Sequence, residues 1–140
     1  MINNAMGILI ASDSEIHMNE LTIKRTSASL PYGGRYRMID FALSNLVNSG
    51  ISTIGIVTRN NYNSLMDHLR MGRDWDLNRK NSGLTLFPSF AFNTLRDVYK
   101  GKVEAIYTLK GYMMSQKKLE YDVLGNANVI CNIAVEEIVD

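Results

Sequence analysis

Cysteine, proline and net charge are all scarce in this chain. One cysteine, Cys131, among 140 residues excludes an internal disulfide and any cysteine-rich zinc site, and it suits a reducing compartment such as the cytosol. Cys131 itself reads as a small buried hydrophobe. Two prolines, Pro31 and Pro88, leave no Pro-rich linker, and no repeat or low-complexity tract is present. The balance of 15 Lys and Arg against 14 Asp and Glu, a net +1, supplies no long-range field for collecting nucleic acid or a membrane surface. The longest apolar opening, Met1 to Ala11, falls short of the roughly 20 residues that span a bilayer and lacks the basic start of a secretion signal. What is present is 46% hydrophobic sequence, enough for one domain with a real core.

The pattern of those apolar residues predicts an α/β chain. Ala5-Met-Gly-Ile-Leu-Ile-Ala11 is a continuous run of strand length, as expected of a parallel strand covered on both faces. Met38, Ile39, Ala42, Leu43, Leu46 and Val47 then form the stripe of a helix stopped by Gly50. Thr53 to Thr58 reads as a second buried strand, which completes a right-handed crossover. A helix over Asn61 to Arg70, with Tyr62, Leu65, Met66 and Leu69 on one side, is expected to end near Gly72. The charged stretch from Arg70 to Asn81 around Trp75, the sole tryptophan, reads as a solvated connection, with a binding loop as the alternative. Leu84 to Phe87 is a strand candidate, and Phe87 to Phe92 has no clear assignment. Lys102 to Lys118 carries Val103, Ile106, Leu109 and Met113 at helical spacing, with Met113 and Met114 as core filling. Val129 to Val135 reads as a last buried strand.

The segment Ser29-Leu-Pro-Tyr-Gly-Gly-Arg-Tyr-Arg-Met-Ile-Asp-Phe-Ala-Leu-Ser-Asn-Leu-Val-Asn-Ser-Gly-Ile51 closely resembles the glucose-1-phosphate adenylyltransferases, which make ADP-glucose for glycogen and starch. Ser64 to Leu69, Trp75 and Gly101 to Ile106 extend the resemblance over essentially the whole chain. It implies a three-layer, Rossmann-like nucleotidyltransferase (nucleotide-diphospho-sugar transferase) fold with a mostly parallel sheet, of which residues 1–140 are the N-terminal part. Family chains continue into a left-handed β-helix, so the resemblance further implies a truncated sheet with an unpaired edge. Gly33 and Gly34 permit a tight turn and close backbone approach to a ligand. With Gly101 they are the positions the resemblance places beside a nucleotide or sugar phosphate, and Arg25, Arg35 and Arg37 are candidates for phosphate contact. Each arginine also has an ordinary reading as a structural or surface charge. Asp40 reads as a first-turn residue that favours the helix dipole.

Against this resemblance stand departures at the positions that handle phosphate and metal. The family holds ATP phosphates with a Gly-Gly-x-Gly-Thr-Arg-Leu loop after the first strand. Carried across without a gap, its glycine positions are occupied here by Ser12, Asp13 and Glu15, its arginine by His17 and its proline by Glu20. A carboxylate against a phosphate oxygen costs about 1 kcal/mol in water and roughly 4 kcal/mol at a partly screened site. An imidazole is also a poor substitute for a guanidinium fork. Ser27 and Ala28 replace the lysine and proline of an Arg-Ala-Lys-Pro run, and Asn128 stands where the family has the aspartate that holds Mg²⁺. Phosphoryl and nucleotidyl transfer depend on positioning and charge neutralisation, so these losses together imply no catalytic residues and no cofactor. Trp75 to Lys80 and Ile130 to Ile133 are similar to the GlgD-type branch of the family. That likeness implies a cytoplasmic regulatory subunit in glycogen biosynthesis, non-catalytic or weakly catalytic, paired in homo- or hetero-oligomers with a catalytic (GlgC-type) subunit. Two alternatives stand beside it: an active, Mg²⁺-dependent adenylyltransferase releasing pyrophosphate, and a module that binds a sugar phosphate or nucleotide as effector.

Overall fold

The computed structural model describes residues 2–11, 18–58, 61–79, 82–88, 102–116 and 118–139. Six strands and five helices occur among them: β1 (Ala5–Ala11), β2 (Pro31–Tyr32), β3 (Tyr36–Arg37), α1 (Met38–Asn48), β4 (Ile54–Thr58), α2 (Asn63–Leu69), β5 (Leu84–Pro88), α3 (Lys102–Thr108), α4 (Lys110–Ser115), β6 (Tyr121–Asn126) and α5 (Glu136–Val139). Four strands form one parallel sheet in the order β5-β4-β1-β6. Strands β2 and β3 make a separate small antiparallel hairpin.

The two-residue period of a strand divides the core into layers. Ala5, Leu9 and Ala11 of β1, with Ile54 and Ile56 of β4, pack against Ile39, Leu43 and Leu46 of α1 and Leu65 and Leu69 of α2. Met6, Ile8 and Val57 point the other way, onto Ala105 and Leu109. Helices thus cover both faces of the sheet, the three-layer α/β arrangement expected of these apolar runs. Gly7 lies on the α1 side, where an added Cβ would sit 2.7 Å from Leu46 Cδ1. Helix α1 therefore packs close to the sheet at that point.

Several expectations from the sequence are corrected. Helix 102–118 is two short helices: Thr108 Oγ1 donates to Ala105 O at 2.6 Å, and the chain turns at Leu109 so that this side chain reaches the core. Val103, 81% exposed, leaves the stripe as a result, and Met114, 67% exposed, is not the core filling expected of it. Residues 129–134 form no strand. The free flank of β1 is taken by β6 in the register Ala5 with Tyr121 to Ile10 with Asn126, and Ala127 N still donates to Ile10 O. This tail is anchored instead by Asn45 Nδ2 donating to Cys131 O and Val135 N donating to Ser49 Oγ. Cys131 is half-buried, not a core residue. Met66 is exposed, and α2 ends at Leu69 because Arg70 and Met71 adopt positive φ before Gly72 is reached. The stretch after it is not a solvated loop throughout: Trp75 packs on the core and its Nε1 donates to Ser44 Oγ at 3.3 Å, while Leu77 is buried. The unassigned Phe87 to Phe92 segment supplies the end of β5 as far as Pro88, and its remaining positions lie outside the described residues.

Candidate functional site

In an open parallel sheet the ligand crevice lies outside the carboxyl ends of the strands, where the strand order reverses. The chain here runs from β1 outward through β4 to β5, then returns to the opposite flank of β1 as β6. The reversal point is between β1 and β6. Ala11 ends one of these strands and Asn126 the other, so Ala11 and the pair Ala127-Asn128 lie at this edge.

Two of the sequence's departures meet here. Asn128 Nδ2 donates to Ser27 Oγ at 3.3 Å, across 101 residues of chain. Asn128 is held by the Ala127 N to Ile10 O bond, which extends the β1–β6 ladder. Ser27 opens a buried 3-10 turn, Ser27–Ser29. Within it Ser29 N and Ser29 Oγ both donate to Thr26 O, and Leu30 N donates to Ser27 O. Thr26 Oγ1 is buried without a hydrogen-bond partner. The crevice edge is therefore furnished, where described, by hydroxyls and an amide. No group of three His, Cys, Asp or Glu among the described residues is placed to hold a metal ion.

Arg37 belongs to the scaffold around this turn. Its Nη1 donates to Ser29 O at 3.1 Å, to Ser64 O at 3.1 Å and to Ser64 Oγ at 2.6 Å. Its backbone N donates to Asp40 Oδ2 at 2.9 Å, which satisfies a free amide at the start of α1 in the manner of an acidic residue in a helix's first turn. One guanidinium nitrogen thus ties the turn, α1 and α2 together, and of the two readings of this arginine it is the structural one that these bonds describe. Gly33 and Gly34 lie at the tip of the β2–β3 hairpin with φ of 60° and 91°, and an added Cβ at either would meet nothing within 4 Å. Their positive φ is required by the turn. Arg35, exposed beside them, lies 5.8 Å from the ring centre of Tyr36. Arg25 is half-buried in the segment that leads into the turn. Of the remaining site positions, Ser12, Asp13, Glu15, His17 and Gly101 lie outside the described residues.

A second polar cluster had no signature in the sequence. Asp40 is only 7% exposed, and its other oxygen, Oδ1, lies 2.6 Å from His68 Nε2 on α2. The His68 ring packs edge-on against Trp75 at 6.3 Å. Asp40 therefore does more than favour a helix dipole: it links the hairpin, α1, α2 and the Trp75 turn. Only the coincidence of an acid in the first turn of one helix with a histidine in the last turn of the next hinted at the link, and sequence alone does not show which pairs meet.

A family model described as nucleotidyl transferase matches residues 7–140. The chain is 37% identical to the glycogen biosynthesis protein GlgD of Geobacillus stearothermophilus over 100% of its own length and 40% of that protein. Against GlgD of Bacillus subtilis it is 37% identical over 95% of this chain and 38% of the relative. A glucose-1-phosphate adenylyltransferase of Thermotoga neapolitana is 37% identical over 76% of the chain and 25% of that enzyme. The chain thus spans about two fifths of the length of the GlgD relatives. Strand order, the switch-point crevice and the family match agree: the chain belongs to the nucleotidyl transferase family.

Proposed function

We propose that this chain is the N-terminal part of a regulatory subunit of glucose-1-phosphate adenylyltransferase in glycogen biosynthesis, which pairs with a catalytic subunit and shifts that enzyme's activity or effector response. The observation that carries the reading is the neutral Ser27–Asn128 pair at the β1–β6 switch point, set in a scaffold whose layers and turn are otherwise intact. Transfer of a nucleotidyl group needs positive charge and a metal carboxylate where negative charge develops, and an amide bonded to a hydroxyl supplies neither. Such a chain influences the reaction through its contacts with a working subunit, as a coupling free energy between sites. The likeness to GlgD along the whole chain supports the same reading.

The test is titration of a purified catalytic subunit with the full-length form of this protein. Co-elution and altered saturation kinetics are the expected result. Unchanged kinetics without co-elution would reject the pairing. Sustained Mg²⁺-dependent pyrophosphate release by the full-length protein alone would show an active enzyme instead.

A further inference from the structure

We infer that Ser27 and Asn128 form a neutral latch that takes the place of a divalent cation at the switch point, so that the crevice binds no metal there because of Asn128; the inference rests on the non-catalytic reading of this site. Both ends of the latch are fixed before the contact is made. Asn128 follows directly on the Ala127 N to Ile10 O bond, and Ser27, 1% exposed, sits in the turn closed by the Ser29 and Leu30 bonds.

The donor chemistry does not fit Mg²⁺. That ion takes a near-octahedral set of oxygens and is held through carboxylates. The amide N–H of Asn128 is directed at Ser27 Oγ, which leaves Asn128 one neutral carbonyl oxygen to offer, and neither member of the pair carries an anion to offset two positive charges.

The latch also has a mechanical consequence. It joins the end of β6 to the 27–29 turn, and Arg37 joins that turn to α2 through Ser29 and Ser64. The end of the sheet is thus tied to the entry of α1 by hydrogen bonds alone, with no need for a bound ion.

Two measurements on the full-length protein, made without any catalytic subunit, test the inference. In an electron paramagnetic resonance titration with Mn²⁺ alone, Asn128→Asp is expected to bind the ion on the order of ten- to a hundredfold more tightly than the native protein, the range by which groups at a metal site change affinity. Equal affinity of the two proteins, tight or absent, would overturn the claim that Asn128 excludes the cation. In thermal melts of Ser27→Ala, Asn128→Ala and the double variant, the double variant is expected to melt no lower than the weaker single one, since either change opens the same bond. Additive losses would show that the two side chains do not act as a latch. This cycle uses small truncations, so it stands even if Asn128→Asp fails to fold, and neither result depends on the pairing titration.

Discussion

Replacing Arg37 separates a scaffold arginine from a ligand-binding one. Its Nη1 faces Ser29 O, Ser64 O and Ser64 Oγ at 3.1, 3.1 and 2.6 Å. A hydrogen bond from a charged donor contributes about 1.5–3 kcal/mol net. Three acceptors share one nitrogen, so they count as fewer than three full bonds. Arg37→Ala also leaves two carbonyls in a half-buried setting without that donor. Together these give a loss of about 2–4 kcal/mol, or roughly thirty- to a thousandfold in the unfolding equilibrium at about 1.4 kcal/mol per tenfold. The control is Arg35→Ala at the exposed hairpin tip, which is expected to stay within about 0.5 kcal/mol of native. Urea denaturation of the full-length protein, followed by circular dichroism, reads both. Arg37→Ala with native stability but lost affinity for ATP, ADP-glucose or glucose 1-phosphate would refute the scaffold assignment and restore this arginine as a phosphate contact.

Substitutions at four further positions probe the frame around the site, each read by the same denaturation. Leu43→Ala removes a fully buried side chain between α1 and the sheet and is expected to cost about 2–5 kcal/mol. Gly83→Ala places a Cβ 2.1 Å from Leu77 O at a φ of 141°; a backbone clash in a strained conformation is expected to cost about 2–4 kcal/mol. Gly34→Ala, in open space, should lose only about 1–2 kcal/mol from its positive φ. Asp40→Ala removes both the acceptor for Arg37 N and the partner of His68 and is expected to cost about 2–3 kcal/mol, whereas Asp40→Asn retains an acceptor for Arg37 N and is expected to lose less.

What the sequence makes legible follows from how locally each feature is determined. Strand β1 and helix α1 announce themselves because one is an unbroken apolar run and the other a clean helical stripe, and each is buried on the faces its pattern demands. Strand β6 does not, because Tyr-Asp-Val-Leu-Gly-Asn is largely exposed and its place is set by the free flank of β1, not by its own pattern. The same competition misplaces the last strand onto 129–135, a more apolar stretch, whereas the flank of β1 is taken by β6. The break at Leu109 depends on which side chain reaches the core, a tertiary choice that helical spacing does not encode. At the site, comparison of residues with the family's motif identifies positions 27 and 128 separately, and only the fold brings them within bonding distance.

The frame and the crevice edge are held by different residues. Arg37 and Asp40 hold the turn and the start of α1, so their replacement would cost stability whatever happens at the crevice. Ser27 and Asn128 are under a different constraint. A buried ionic partner must be desolvated and stabilises only while its counter-charge remains, so removing one member of a charged set leaves the other strongly unfavourable. Neutral groups at both positions avoid that conflict, because an amide and a hydroxyl satisfy each other at ordinary hydrogen-bond cost. A hydroxyl at position 27 and an amide at position 128 are thus compatible with each other without a bound ion. On the proposed regulatory reading, the three-layer frame remains to present the surfaces through which one subunit acts on another.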